Sequence, residues 1–375
     1  MSYEIQVYSK PDSQLKKYWQ ELEKYSFCYC YQSYDWFENW VNNFRNQAND
    51  ITCVVVVSYN NKILFILPLE IIKKFNLKIL QWIGGKHSDY HAPILSKNFN
   101  LSKDDFIDLW KKIKLKIPDF DLVYFIKQPK TVDKLNNPFV LFFNNYTDSK
   151  TYNIILPKKW NEYNQSILKK KFRSQNIRSK KLLKKLGNLK FKILKDKSEK
   201  FEIIKKLLIQ KNLKLKSLGA AELLENEDLN FYTSFENDKL DTISTHISYL
   251  KLNEKIIAIH WGILYKKRFY YLLPSMGEKN LNKYSPGRLL LSLLIRWSIS
   301  KKVEIFDFTL GDESYKKSWT NNESQLFNYL YLNNFKGIFL YVLIKSKLMV
   351  KSIDRYHNIK KIVLLFKKIF KVYAN

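Results

Sequence analysis

The pattern of hydrophobic and polar positions divides the chain into short apolar runs and amphipathic stretches, which is typical of an α/β protein. In the first half it predicts, in order, a strand (3–8), two helices (12–25 and from 33 onward), a hairpin (51–72), a strand (77–83), a helix (104–115) and a strand (121–126). In the second half it predicts a strand (189–194), two helices (199–218 and 226–236), a hairpin (242–264), a strand (269–273), a helix (286–299) and a strand (303–309). The order of elements repeats although the residues do not. The sequence therefore predicts two similar α/β units.

The two units are predicted to occupy residues 1–157 and 188–333, with a basic connecting helix over 158–187. No acidic residue occurs between Glu162 and Asp196, and apolar residues in this stretch recur at helical spacing. Residues 334–375 are predicted to form a tail of basic amphipathic helices in which Asp354 is the one acidic residue. Such helices fold back onto the protein or lie on an acidic membrane face, and both interpretations stay open.

Residues 268–319 place polar side chains at the ends of apolar strands and helices. Ser285 is the predicted N-cap of a helix, and Pro286 occupies its first position, where a missing N–H costs nothing. The helix is apolar almost all round, and a narrow polar stripe interrupts it at Arg288, Ser292, Arg296 and Ser300. Backbone N–H groups converge at such a helix start, and Gly287 lets a phosphate approach them. An ordinary helix cap is the alternative interpretation.

As a whole this stretch resembles the CelD-like acetyltransferases, a branch of the GNAT superfamily related to the Fem-type peptidoglycan aminoacyltransferases. The residues that carry the resemblance are Tyr284-Ser285-Pro286-Gly287, Phe306-Asp307-Phe308, Gly311-Asp312-Glu313, and Tyr315-Lys316 with Trp319. Weaker similarities extend it to residues 34–320, at Asp35-Trp36 with Trp40, Ser88-Asp89-Tyr90, and Arg173 with Arg178. The resemblance implies a tandem, Fem-like α/β (α+β) architecture. Gly287 stands alone where the usual pyrophosphate loop carries two glycines, which leaves the acyl donor open.

The resemblance also implies an activity and a set of site residues. It implies direct transfer of an acyl group from acetyl-CoA, or another acyl-CoA as co-substrate, to an amine or hydroxyl of a bacterial envelope or polysaccharide precursor. Donor-binding candidates are Ser285, Gly287 and Arg288. Catalytic candidates are Asp307 and Glu313 as the base, Lys316 at the oxyanion or a substrate phosphate, Tyr315 as proton donor, and His260. The residues themselves add substrate-facing candidates, Asp89 and His91 in the polar loop and Arg173 and Arg178 on the basic helix, where a solvated basic face is the alternative interpretation. A structural histidine is the alternative interpretation of His260.

Composition and charge narrow the function class. The 375 residues are 46% hydrophobic, and their 65 basic and 35 acidic residues give a net charge of +30, which favours an anionic partner. Three cysteines make no disulfide framework, and the His87–His91 loop lacks a further ligand cluster, so no metal is expected. No signal peptide or membrane-spanning run is visible, which predicts a cytoplasmic protein. Peripheral association with the inner membrane face stays open. The alternative function is a non-enzymatic protein that binds nucleic acid or anionic membrane, although nucleic acid is not the expected partner.

Overall fold

The secondary structure is taken from a computed structural model, which describes residues 3–44, 50–74, 76–217, 219, 224–237, 240–277, 279–320 and 322–354. The helices are α1 (Ser13–Tyr25), α2 (Tyr34–Phe44), α3 (Lys103–Lys116), α4 (Pro138–Leu141), α5 (Trp160–Glu162), α6 (Lys170–Leu186), α7 (Lys197–Ser217), α8 (Asn226–Asn237), α9 (Pro286–Ser300) and α10 (Ile338–Asp354). The strands are β1 (Glu4–Tyr8), β2 (Ile51–Tyr59), β3 (Lys62–Lys74), β4 (Leu77–Trp82), β5 (Ile94–Leu95), β6 (Leu122–Pro129), β7 (Thr131–Val132), β8 (Leu135–Asn136), β9 (Asn145–Ile155), β10 (Leu189–Ile193), β11 (Ser244–Leu252), β12 (Lys255–Tyr265), β13 (Arg268–Met276), β14 (Ile305–Leu310) and β15 (Asn322–Leu332).

Thirteen of these strands form one mixed sheet in the order β1-β2-β3-β4-β6-β15-β9-β14-β13-β12-β11-β10, with β5 paired to β3. The arrangement of the strands is the same when the sheet is followed inward from β1 or from β10. From each edge four antiparallel strands lead to one parallel pairing, β4 with β6 on one side and β13 with β14 on the other. The predicted repetition of elements is therefore present in the sheet.

The two halves exchange their last strands at the centre of the sheet. Strand β9 pairs with β14, β15 pairs with β6, and β9 and β15 pair with each other. Neither strand is predicted by the sequence pattern, because polar residues such as Thr151, Asn153 and Asn328 occupy buried positions in them. The sheet is continuous across residues 157 and 188, and the division into units at those positions stays a prediction.

The helices cover both faces of the sheet. On one face α1, α2, α7 and α8 enclose a core that includes Trp19, Trp36, Phe231 and Trp261. On the other face α3 packs over the first half, while α6 and α9 pack over the second. Helix α9 buries Leu290 and Leu294, whereas Arg296 on its polar stripe is exposed. The predicted apolar helix with a polar stripe is confirmed.

The parallel strands β13 and β14 stay together for only three residue pairs. Arg268 pairs with Ile305, Phe269 with Phe306 and Tyr270 with Asp307, and the pairing ends there. The remainder of β13 keeps its antiparallel pairing with β12 on its other side. Its edge toward β14 is therefore open from residue 271 onward, and this opening positions the candidate site.

Helix α10 folds back onto the sheet through one of its faces. Leu348 is buried against Ile79, Leu122 and Leu330, which belong to β4, β6 and β15. The folded-back interpretation thus holds for this face of the predicted tail, and residues 355–375 of the tail lie outside the described residues. Within the described ranges no helix combines the length and the apolar character needed to cross a bilayer.

Candidate active site

The diverging ends of β13 and β14 open into a cavity of about 1010 Å³ between the two halves. The first half contributes α2 and the 84–91 loop, and the second contributes α6 to α9, both strands and the loop after β14. Charged and catalytically capable residues on the cavity wall are Lys86, His87, Asp89, Lys211, Lys214, Arg288, Glu313, Tyr315 and Lys316. The cations outnumber the carboxylates, so the cavity favours anionic ligands.

The start of α9 forms one end of the cavity. Ser285 is the N-cap residue, as predicted, but its side chain caps no backbone N–H, and Pro286 follows at the first helical position. The first-turn N–H groups therefore have no intrahelical partner and no side-chain cap. Gly287 lines the cavity, and a Cβ built there would lie 3.1 Å from the Met276 sulfur. The helix start is thus accessible because Gly287 has no side chain.

Arg288 lies beside this helix start and connects α9 to α6. Its two terminal nitrogens donate to the Gln175 side chain at 2.7 Å and to the Ser179 hydroxyl at 3.0 Å. Its Nε is buried and has no hydrogen-bond partner. Burial lowers the pKa of Arg288, which nevertheless stays protonated in proteins. The site therefore presents one fixed guanidinium next to the free N–H groups of the helix.

Asp89 lies in a loop that the fold fixes on both sides. The Ser88 hydroxyl accepts from the Trp36 indole at 3.0 Å, and the Ser88 carbonyl accepts from Lys127 at 2.7 Å. On the other side the Tyr90 hydroxyl donates to a buried carboxylate on β14 at 2.9 Å. Asp89 itself faces the cavity between these two anchored neighbours. Its carboxylate is therefore held in place by the loop.

The electrostatic environment of Asp89 suits a general base. Burial raises the pKa of its carboxyl group, and the charges of Lys127 and Lys316 and hydrogen bonds from Thr309 and Tyr31 oppose that shift. The Tyr31 hydroxyl donates to the carboxylate at 3.3 Å. A carboxylate with a raised pKa is a stronger base than an exposed one. Asp89 is therefore a candidate for a general base.

Lys316 lies on the cavity wall near Asp89 and is 3% exposed. Its ammonium group donates to the Leu310 carbonyl at 2.6 Å and pairs with Glu313 at 2.9 Å. An ammonium group has three N–H donors, so one is left for a ligand. Lys211 lines the same region, and burial lowers its pKa, with the nearby Lys214 charge acting in the same direction. These lysines supply the positive charge at the middle of the cavity.

Comparison with protein families identifies the second half of the chain. Residues 170–317 match the family model described as an acetyltransferase (GNAT) domain. They form a GNAT acetyltransferase domain. The domain contributes β13, α9, β14 and Lys316 to the cavity. The protein is therefore an acyltransferase enzyme, and the alternative of a non-enzymatic binding protein is not supported.

Solved structures extend the comparison beyond the GNAT domain. FemX matches with a TM-score of 0.60 and 11% identity over 90% of this chain and 99% of that chain. L-PGS from Bacillus licheniformis matches at 0.53 and 10% identity, covering 91% and 98%. A C-terminal domain of a putative lysylphosphatidylglycerol synthetase from Agrobacterium fabrum matches at 0.52 and 9% identity, covering 90% and 96%. No curated protein matches the chain. These similarities confirm the predicted Fem-like fold.

Two predicted catalytic residues of the GNAT domain lie outside the cavity wall. Asp307 is fully buried, pairs with Arg268 at 2.8 Å and accepts the Tyr90 hydroxyl. His260 is also fully buried and stacks on Tyr271 with ring centroids 4.4 Å apart. Burial lowers the pKa of His260 well below its ordinary value, so the ring is neutral. Asp307 thus supports the Tyr90 end of the Asp89 loop, and His260 contributes to packing.

The remaining candidates divide between the cavity and its surroundings. Glu313 and Tyr315 line the cavity, and burial raises the pKa of the Tyr315 hydroxyl. His91 is buried away from the cavity, and its pKa falls to about 3 because of burial. Arg173 donates to the Asn164 carbonyl at 3.0 Å, while Arg178 is exposed on α6. Neither arginine lines the cavity beside the GNAT domain.

The structure adds site residues that the sequence pattern does not reveal. His87 lies on the cavity wall, and its Nε2 is 2.5 Å from the buried carboxylate of Asp228 on α8 of the GNAT domain. Lys86 also pairs with Asp228, at 3.2 Å. The polar 87–91 loop was a sequence signal, but its partner lies 141 positions away along the chain. No sequence pattern distinguishes Lys127 and Lys211 from the many other lysines of the chain.

The described part of the chain contains no group of three or more His, Cys, Asp or Glu residues arranged to hold a metal ion. The three cysteines are buried and unpaired. A metal-free reaction at the GNAT domain stays a prediction.

Proposed function

We propose that the protein transfers an acyl group from an acyl-CoA thioester to an amine held between its two halves. The observation that carries this proposal is a single cavity that joins the start of α9 to Asp89 and Lys316. One end of it suits the phosphates of a donor, and the middle supplies a base and a cation. A base and a cation each accelerate direct attack of an amine on a thioester.

Donor binding is supported by backbone groups and one fixed charge. The unpaired N–H groups at the start of α9 suit a phosphate, and Arg288 adds a positive charge beside them. The edge of β13 beyond Tyr270 has no pairing with β14, so its N–H and C=O groups suit the amides of an extended pantetheine arm. The proposed donor therefore runs from Gly287 along β13 toward Lys316.

The proposed step is an attack of the acceptor nitrogen on the thioester carbon. Asp89 takes a proton from the nitrogen as the C–N bond forms, and Lys316 stabilises the oxyanion with its free N–H. The carbonyl re-forms as the C–S bond breaks, and the proton passes to the departing thiolate, which leaves as a thiol. Tyr315 stays protonated because burial raises its pKa, and it donates a hydrogen bond to the thiolate. Asp307 positions Tyr90 and hence Asp89.

The acceptor is proposed to be an anionic amine such as an amino-sugar precursor. Lys86, Lys211 and Lys214 on the cavity wall support a negatively charged group next to the reacting nitrogen. An aminoacyl donor is the second candidate, since Gly287 lacks a second glycine beside it and two similar structures are named for L-PGS or lysylphosphatidylglycerol synthetase.

The test uses two carboxylate variants as a matched pair. Native mass spectrometry with mixed acyl-CoAs identifies a retained donor, and transfer to a panel of amino sugars and their nucleotides is then followed by product mass. Asp89→Asn should abolish transfer while retaining the donor. Glu313→Gln should keep most of the activity, because the Glu313 side chain is 57% exposed and its ion pair with Lys316 takes no part in the proposed proton transfer. Equal loss in both variants would remove Asp89 from the role of base. Absence of any retained acyl-CoA would favour an aminoacyl donor.

A further inference from the structure

Helix α10 has a second apolar face that no described part of the chain covers. Its inner face packs on the sheet through residues such as Leu348. The outer face consists of Ile338, Phe339, Val342 and Met349, with Phe335 in the turn before the helix; we call these five residues the α10 outer face. Phe339 is 72% exposed and Phe335 is 86% exposed. Exposed apolar side chains gathered on one face of a surface helix mark an interaction site, so this face suits a partner.

The charge around the α10 outer face selects the kind of partner. Lys336 lies in the turn before α10, and Lys345 and Lys347 lie in the helix itself. By sequence, residues 333–375 contain ten lysines and arginines against Asp354 alone, of which four (336, 345, 347 and 351) belong to the described residues and six (355, 360, 361, 367, 368 and 371) lie beyond them. Two copies of this segment would repel each other if the faces met. An anionic surface is attracted to it.

The sequence beyond α10 continues the same pattern. Residues 359–372 read IKKIVLLFKKIFKV, in which pairs of lysines alternate with apolar residues. Basic residues interleaved with Phe, Leu and Ile are typical of segments that lie in the interface of an anionic bilayer. In the α10 outer face Ile338, Val342 and Met349 are aliphatic and cannot stack on nucleic-acid bases, whereas all five residues suit the acyl boundary of a bilayer. Lipid therefore fits these residues better than nucleic acid.

From these observations we infer that the α10 outer face docks the enzyme on a bilayer that contains anionic phospholipid. The exposed side chains enter the acyl boundary of the bilayer, and the surrounding lysines contact the lipid phosphates. The inner face of α10 holds the helix on the sheet, so the whole enzyme is carried to the membrane. This inference concerns a surface away from the cavity wall, and it stands whether or not the proposed acyl donor is correct.

The test compares full-length variants in sedimentation with extruded vesicles of phosphatidylglycerol and phosphatidylcholine, and with vesicles of phosphatidylcholine alone. The double variant Phe335→Ser/Phe339→Ser removes the two most exposed aromatic side chains without touching the core. We expect wild-type protein to bind the anionic vesicles, to be released by salt, and to lose at least roughly tenfold in partitioning in the double variant. Ile177→Ser is the matched control, since Ile177 is 70% exposed on the basic helix α6.

A second measurement reports the depth of the helix directly. The three native cysteines are buried, so Val342→Cys provides a selective site for an environment-sensitive fluorophore, with Ile177→Cys as control. A blue shift with anionic vesicles at position 342 alone supports the inference. Unchanged vesicle binding by the double variant, or no wild-type binding, would overturn it. A dimer that the double variant abolishes, or retention of RNA in place of vesicles, would assign the face to another partner and overturn it equally.

Discussion

Gly287→Ala should separate donor binding from stability. Gly287 is the second residue of α9, and its backbone is helical, so alanine is compatible with the local conformation. The new methyl group would lie 3.1 Å from the Met276 sulfur and 3.2 Å from its Cγ, which requires a shift of a few tenths of an ångström. Met276 is 44% exposed and flexible, so that shift is small in cost. Alanine in place of glycine stabilises a helix by up to about 1 kcal/mol. The free energy of unfolding should therefore stay equal or rise.

The same methyl group should weaken binding of the acyl donor. On the proposed placement of the donor, it would occupy the space through which a phosphate approaches the N–H groups at the start of α9, where Gly287 lines the cavity. A hydrogen bond to a charged group contributes about 1.5–3 kcal/mol, and 1.4 kcal/mol corresponds to a factor of ten in affinity. Lengthening one or two such bonds should raise the acyl-CoA dissociation constant by roughly 10- to 100-fold. Gly287→Glu adds charge repulsion and should abolish binding.

Titration calorimetry with acetyl-CoA and thermal unfolding of the same samples measure the two effects. Ser292→Ala is the matched control, because it changes α9 to a better helix former at a position that does not line the cavity. It should raise stability slightly and leave donor affinity unchanged. Wild-type affinity in Gly287→Ala and in Gly287→Glu would refute the placement of the donor phosphates at α9, even though the fold would be unaffected.

Three further predictions test charged groups. Lys316→Ala should lower the single-turnover rate by about 10²–10³ while the donor affinity is kept, and an unchanged rate would exclude Lys316 from the oxyanion. The rate should rise with pH as Asp89 loses its proton, and Lys127→Met should move this rise to higher pH because Lys127 opposes the raised pKa; an unmoved profile would contradict the role of Asp89. Burial raises the pKa of Glu70 to about 8 from 4.5, so the folded state binds this proton more tightly than the unfolded state and wild-type stability should fall as pH rises through that window. Glu70→Gln should remove this loss of stability, which is worth about 1.4 kcal/mol per unit of pKa shift. Urea unfolding of wild type and variant at pH 5 and pH 8.5 measures it, and equal midpoints of the two proteins at both pH values would contradict the prediction.

The sequence predicts the elements whose apolar pattern is local. The hairpin turn at Asn60-Asn61 is confirmed, and both residues have positive φ, as this turn chemistry requires. Strands β9 and β15 are missed because they lie between other strands at the centre of the sheet, where each takes its partners from residues far away in the chain. Their polar residues are stabilised by contacts such as Asn322 with Asn153 at 2.7 Å, which no local pattern can indicate.

The candidate site is likewise predictable only where its residues belong to a local motif. The motif residues Gly287, Arg288 and Lys316 line the cavity, because they follow directly from the ends of β13 and β14. The sequence offers Asp307 and Glu313 as candidates for the base. No local pattern indicates that Arg268, at the start of β13, holds the Asp307 carboxylate in a buried ion pair. A pattern identifies which acids are near a strand end, but only the packing decides which of them is free to react.

Asp89 and Lys316 interact although 227 positions separate them in the chain, which follows from the exchange of strands at the centre of the sheet. Strand β9 belongs to the first half in sequence but pairs with β14, which leads directly to the Lys316 loop. The Tyr90 hydroxyl adds a second connection, because it bonds Asp307 on β14 from the Asp89 loop. A GNAT domain separated from the first half would therefore keep the start of α9 but lose both Asp89 and the strand that supports β14. The proposed donor end of the site belongs to one half, whereas the proposed chemistry requires both.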